Sequence, residues 1–272
     1  MPDEPLTEEK IIREVPRMTL DSTFTFRCEM GVACFTRCCA DVSIVLTPYD
    51  IQRMKKALGL DSSEFLARYT ISPFTPDQKF PVVLLKMNPE SRRCLHVTES
   101  GCSIYRDRPW ACRMYPLGLA QPEQTTSEDR DFHFLIHEEL CQGHGEGRTL
   151  TVRDWIEEQG IEEYNMMGAS FKELMLHPFW NGEKELTPAQ MDMFFMACYD
   201  LDRFRRFVFE TRLLRLFDVH EARVEAMRTD DLELLDFALQ WLRFSLFQEK
   251  TMKIKPSAAR SAGRADSREG LS

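Results

Sequence analysis

No run of the chain approaches the roughly 18 consecutive apolar residues that a membrane-spanning helix needs. The greasiest segment, MDMFFMACYDLDRF, is interrupted by Asp192, Asp200 and Asp202. The opening stretch MPDEPLTEEKIIREVPRMTL carries acids at Asp3, Glu4, Glu8 and Glu9, and it lacks the apolar centre of a signal peptide. A cytoplasmic location is the expectation from these two absences. Basic residues are also in deficit, because 35 Lys and Arg stand against 44 Asp and Glu for a formal net charge of −9. Phosphate backbones are held by clustered Lys and Arg, so neither nucleic acid nor a membrane is an expected partner. No glycine-rich G-x-G-x-x-G turn is present to cradle a dinucleotide, and no internal repeat is visible.

Cysteine is nearly absent from the second half, where the 131 residues after Cys141 hold only Cys198. The other eight are Cys28, Cys34, Cys38, Cys39, Cys94, Cys102, Cys112 and Cys141. In a reducing compartment such a concentration points to metal ligation or redox chemistry rather than structural disulfides. Standard signatures are missing. There is no pair of C-x2-C motifs as in a zinc ribbon and no C-x2-C-x2-C-x3-C ferredoxin run. The C-x3-C-x2-C pattern of radical S-adenosylmethionine enzymes starts at Cys34 and Cys38 but meets Asp41 where its third cysteine belongs. Cys34 and Cys38 are four apart, so one turn or compact loop puts both sulfurs on one side. Cys38 and Cys39 are adjacent, and in extended backbone their side chains point to opposite faces. Eight thiols suit two four-thiolate sites or one site with reserve cysteines, and spacing alone does not partition them.

Helix punctuation places these residues. Thr47, Pro48 and Asp50 cap a helix that Gly59 stops, and Asp61 with Glu64 opens a second. DVSIVL and FPVVLLKM read as strands from their β-branched residues. GHGEGR marks a connector after Cys141. Beyond it, Thr151 with Asp154 and Thr187 with Gln190 cap further helices, and Met191, Phe194, Phe195 and Cys198 share an apolar face. Cys198 is therefore assigned to core packing. The expected fold class is α+β, with a small metal-stapled cysteine-rich region followed by a mainly helical C-terminal region. The expected organisation is an N-terminal extension over 1–20, a cysteine-cluster domain over 21–147, a helical region over 148–252 and a disordered tail over 253–272. His96 and His144 flank cysteines but are expected to be surface or supporting groups, and His133 and His137 are expected to pair on a helix surface. Arg106, Arg108 and Arg113 around Cys112 read equally as a solvated surface or as compensation for thiolate charge.

The segments CEMGVACFTRCC, TPYDIQRMKKALGLDSSEFLARY and CLHVTESGCSIYRDRPWACRMYPLG resemble the YkgJ-type cysteine-cluster family of zinc- or iron-chelating, Fe–S-cluster-containing proteins. The most diagnostic part is C-x-I-Y-x-x-R-P-x-x-C-R-x-Y-P, from Cys102 to Pro116. The first spacing departs from the compact C-x2-C-x2-CC form. A more distant similarity is to the cysteine-cluster region of flagellin lysine N-methylases. The resemblance implies a metal centre held among the eight cysteines, most simply a 4Fe-4S iron–sulfur cluster, with Zn as the alternative. The expected function is thus metal binding with a redox role, alongside a protein partner or redox partner. A structural zinc interaction module is the alternative, and a protein-modifying enzyme such as a lysine N-methylase is a third reading.

Overall fold

The computed structural model describes residues 14–73, 78–120, 131–182 and 185–256. The chain forms an α+β fold organised as two compact units, one from the described parts of Met1–Ile44 and Lys86–Met166, the other from those of Val45–Leu85 and Met167–Ser272.

In the first unit, strand β1 (Thr23–Phe26) pairs antiparallel with β8 (Arg148–Thr151), setting Phe24 opposite Leu150. Alternation turns Phe24, Phe26 and Leu150 inward, while Thr25 and Thr149 share a hydroxyl–hydroxyl hydrogen bond of 2.8 Å on the other face. Strand β6 (Leu117–Ala120) pairs with β7 (Phe132–Leu135). Gly118 is required there, since a Cβ on it would lie 2.3 Å from the Phe134 ring. The β4 (Val97–Thr98) and β5 (Gly101–Cys102) hairpin and the short helix α3 (Trp110–Met114) precede β6 in the chain. Helix α4 (Val152–Glu158) starts from a capping box between Thr151 and Asp154, as the sequence predicts. Phe24, Phe26, Met114, Leu117, Leu150, Val152 and Ile161 form the core, with Cys141 packed against it. Part of the expected N-terminal extension joins this unit, because Met18 bridges His133 and the Leu20 carbonyl accepts from Arg153 N–H. Residues 1–13 lie outside the described residues.

The second unit is mainly helical. Helices α1 (Pro48–Leu58) and α2 (Ser62–Tyr69) begin at Thr47 and Asp61, and Gly59 closes α1 with a left-handed φ of 66°. Helix α5 (Ile161–Met175) carries the chain on to α6 (Pro188–Cys198), capped by Thr187 and Gln190. Then come α7 (Leu201–Glu210), α8 (Leu213–Leu216), α9 (Glu221–Ala226) and α10 (Asp231–Phe247). Phe194, Cys198, Leu201, Phe204, Leu234 and Leu242 are fully buried, so Cys198 is a core residue. The two segments that read as strands pair only briefly. From DVSIVL, Val45 forms an isolated bridge to Leu84 and Leu46 N–H donates to the Val83 carbonyl, while FPVVLLKM contributes β3 (Leu84–Leu85) to a hairpin with β2 (Thr70–Ile71). Met87 of the same segment bridges Cys94, so the pairing is split among several short partners rather than running as one ladder. At the other end Ile254 bridges Phe217 and Lys255 N–H donates to the Leu216 carbonyl, so the segment read as a tail begins within the fold. Residues 257–272 lie outside the described residues.

Candidate metal centre

All eight cysteines between Cys28 and Cys141 lie in the first unit, and no disulfide joins any of them. The loop from Glu29 to Cys39 is a succession of tight turns, in which Val32, Phe35, Arg37 and Cys39 N–H each donate to the carbonyl three residues earlier. Gly31 (φ 105°) and Thr36 (φ 62°) supply the left-handed conformations that such coiling needs. This loop returns Cys34 toward the end of the segment, where Gln142 N–H donates to Cys34 Sγ at 3.1 Å. Arg27 N–H donates to the Gly143 carbonyl at 3.1 Å, which sets Cys28 beside the Cys141–Gly143 stretch.

A second set of backbone bonds gathers the remaining thiols. Ala40 bridges Arg93, and Cys94 N–H donates to the Cys39 carbonyl at 2.8 Å. Val97 N–H turns back onto the Cys94 carbonyl, and Val97 is the strand partner of Cys102. Cys112 sits in α3, whose orientation is fixed by Arg113. That guanidinium donates to the Arg108 carbonyl at 3.1 Å, to the Gln159 carbonyl at 2.6 Å and to the Arg106 carbonyl, and it lies 4.4 Å from the Tyr164 ring centroid.

The electrostatics follow the same grouping. Cys28 is exposed as a residue, but the surroundings of its sulfur are crowded. Its thiol is pushed up to about 11, by burial first and then by Cys38, Cys34 and Cys141, with Arg108 opposing. Cys38 is drawn down to about 7 by its hydrogen bond with Cys39, and Cys39 is correspondingly raised, with further contributions from burial, Cys112 and Cys94. Burial raises Cys94, and Cys102 adds to it. Burial raises Cys102 as well, against the pull of Arg108. Tyr115 is raised by burial first and then by neighbouring Cys141 and Glu138, so its hydroxyl stays protonated, and it donates to Glu138 Oε2 at 3.4 Å.

Two of the three arginines are therefore not a solvated surface. Arg108 and Arg113 are each only 7% exposed. Arg108 stacks 3.8 Å from the Tyr105 ring centroid, donates to the Tyr105 carbonyl and to Gln159 Oε1, and acts on Cys28, Cys102 and Cys112. Arg113 is committed to carbonyls instead, and Arg106 is exposed. His96 is buried at 3% exposure. His137 stacks on His144 at 4.3 Å between centroids, and His133 lies in β7 opposite Leu119, so the two histidines four apart in sequence do not form a helical pair. Tyr115 and Gln159 escaped the sequence reading. Tyr115 was legible as the Tyr of C-R-x-Y-P, whereas nothing local marks Gln159.

As they lie, no three Cys, His, Asp or Glu side chains among the described residues converge closely enough to hold a metal ion. The donor set nonetheless fits one chemically. Thiols are the soft ligands that Zn²⁺ and iron–sulfur clusters select, eight of them are gathered in one unit, and a buried guanidinium and a phenol stand among them.

A unit that gathers eight free cysteines is of the cysteine-cluster class. Residues 27–142, fewer than half of the 272, match the family model CxxCxxCC, described as "Putative zinc- or iron-chelating domain". Metal chelation by zinc or iron is the activity that the family description supports. No curated protein and no solved structure matches the chain. Among the described residues no helix is long and apolar enough to cross a membrane.

Proposed function

We propose that the cysteine-cluster domain holds an iron–sulfur centre, most simply a four-iron cluster, among Cys28, Cys34, Cys38, Cys39, Cys94, Cys102, Cys112 and Cys141, and that it works as a redox or structural metal protein. The observation that carries this reading is the buried Arg108 guanidinium set against three of the thiols. Four thiolates around an oxidised four-iron cluster leave a net charge of about −2, and a fixed cation nearby offsets it. Tyr115, kept protonated beside Cys141, supplies a phenol next to the same centre. An iron–sulfur cluster supplies one-electron chemistry, and any metal here also ties together loops that small two-stranded ribbons hold weakly. The residues' own part is to orient the sulfurs, through the carbonyl-anchored Arg113 and the Cys94–Cys39 backbone bond, and to balance charge through Arg108.

The test is metal and acid-labile sulfide analysis, with a visible spectrum, on protein purified without oxygen. Iron and sulfide in equal amounts with a brown chromophore are the expected result. Stoichiometric zinc without sulfide in a colourless protein would replace the redox reading with that of a structural interaction module.

A further inference from the structure

We infer that the helical unit carries a binding groove for a free α-amino acid with a large apolar side chain, whose carboxylate is taken by Arg206 and whose ammonium is taken by Glu210. The groove lies wholly within the second unit, so this inference stands independently of the metal centre.

The groove opens between α6, α7 and α10 and has a volume of about 610 Å³, within the range of sites that take small organic molecules. Its floor comes from apolar residues that helical spacing sets apart from the core face. On α6, Phe194 and Cys198 turn into the core, while Ala189, Met193 and Met196 recur along another side and line the groove. Phe207 of α7 and Trp241 of α10 complete the floor, with ring centroids 5.4 Å apart. Methionine adapts to varied apolar shapes and aromatic rings offer a large contact area, so such a floor suits a bulky side chain.

Polar groups select the occupant. Trp241 is only 6% exposed, and its indole N–H has no acceptor among the described residues. Indole is a donor only, so this wall of the groove calls for an acceptor oxygen. The charged side chains at the groove divide unequally. Arg203 is committed to Asp192, through Nη1 to Oδ1 at 2.9 Å and Nη2 to Oδ2 at 2.8 Å, and that fork joins α7 to α6. Arg206 and Glu210 line the same groove, both are exposed, and neither forms an ion pair or side-chain hydrogen bond among the described residues. They stand one turn apart on α7 with the cation on the N-terminal side, the weaker order for an i, i+4 pair. A free cation and a free carboxylate above an apolar floor match a molecule whose own carboxylate and ammonium share one carbon, with an apolar body attached. A plain apolar acid would set its carboxylate against Glu210, and a plain apolar amine would set its ammonium against Arg206.

The experiment titrates the full chain with L-phenylalanine, L-leucine and L-methionine, followed by calorimetry and by indole emission. Saturable binding with a dissociation constant at or below about 1 mM is expected. Arg206→Gln and Glu210→Gln should each weaken L-phenylalanine binding about tenfold. L-Phenylalanine amide, which lacks the carboxylate, should bind wild type and Arg206→Gln equally. N-Acetyl-L-phenylalanine, which lacks the ammonium, should bind wild type and Glu210→Gln equally. The change in emission should vanish in Trp241→Phe. Far-UV circular dichroism checks each variant, and should Trp241→Phe fail to fold, the two exposed charge variants decide. No saturable binding of any of the three amino acids up to about 10 mM would overturn the inference, as would binding that neither charge variant weakens. Equally tight binding of N-acetyl-L-phenylalanine amide would overturn it too, because the groove would then take an apolar peptide segment rather than a free amino acid.

Discussion

Asp202→Ala should destabilise the helical unit strongly at neutral pH and much less in acid. Asp202 accepts from Lys55 Nζ at 2.8 Å, from Ser62 N–H at 2.7 Å and from Arg205 at 2.8 Å. The Lys55 side chain is only 8% exposed, and its other carboxylate, Asp231, stands at 3.0 Å. Removing one partner of a buried charge usually costs about 3–5 kcal/mol. Asp231 still neutralises the ammonium, so about 2–3 kcal/mol is expected here. Burial by itself would raise the Asp202 carboxyl, but the Lys55 and Ser62 hydrogen bonds outweigh it and hold the carboxyl at about 2, below its ordinary 3.8. A carboxyl depressed by folding contributes stability that is complete above its unfolded pKa and is lost as pH falls through its folded pKa. The window therefore runs from about pH 5 down to about pH 2, and the contribution lost across it is about 2 kcal/mol. Urea denaturation followed by circular dichroism at 222 nm, on wild type and variant at pH 7 and pH 2.5, measures the gap directly. A gap under about 0.5 kcal/mol at pH 7, the scale of an exposed pair, would refute the reasoning. So would a gap that does not narrow in acid.

Gly118→Ala should destabilise the β6–β7 ribbon by about 1–3 kcal/mol, because the added methyl meets the Phe134 ring, and Phe134→Leu in the same chain should recover part of the loss in a thermal melt. Cys198→Ser places a hydroxyl in a fully buried apolar site and should cost about 1–3 kcal/mol. Its metal content should equal that of wild type, and loss of metal would contradict its assignment to the core.

Local signals in the chain determined local structure. Thr47, Asp61, Thr151 and Thr187 each start a helix where capping logic puts it, because an N-cap is decided within four residues. The confinement of eight thiols to residues 28–141, with no disulfide pattern demanded of them, was equally plain and pointed to a metal-chelating family. Cys198 was readable as core from the apolar face it shares with Phe194.

Long-range closure was decided only by the tertiary structure. Helices α1 and α2 lie between the cysteines in sequence yet pack with the C-terminal helices, because Lys55 and Ser62 find their carboxylates at Asp202 and Asp200. His137 meets His144 rather than His133, since His133 is held in a strand and not on a helix. Arg108 and Arg113 look alike in sequence, but one faces sulfur and the other holds backbone carbonyls. Cys34 is set against Gln142, and Cys39 against Cys94, by hydrogen bonds across loops of very different length. Sequence spacing carries no such information, because the entropy of closing a loop changes only slowly with its length and the contacts at its ends choose among the closures.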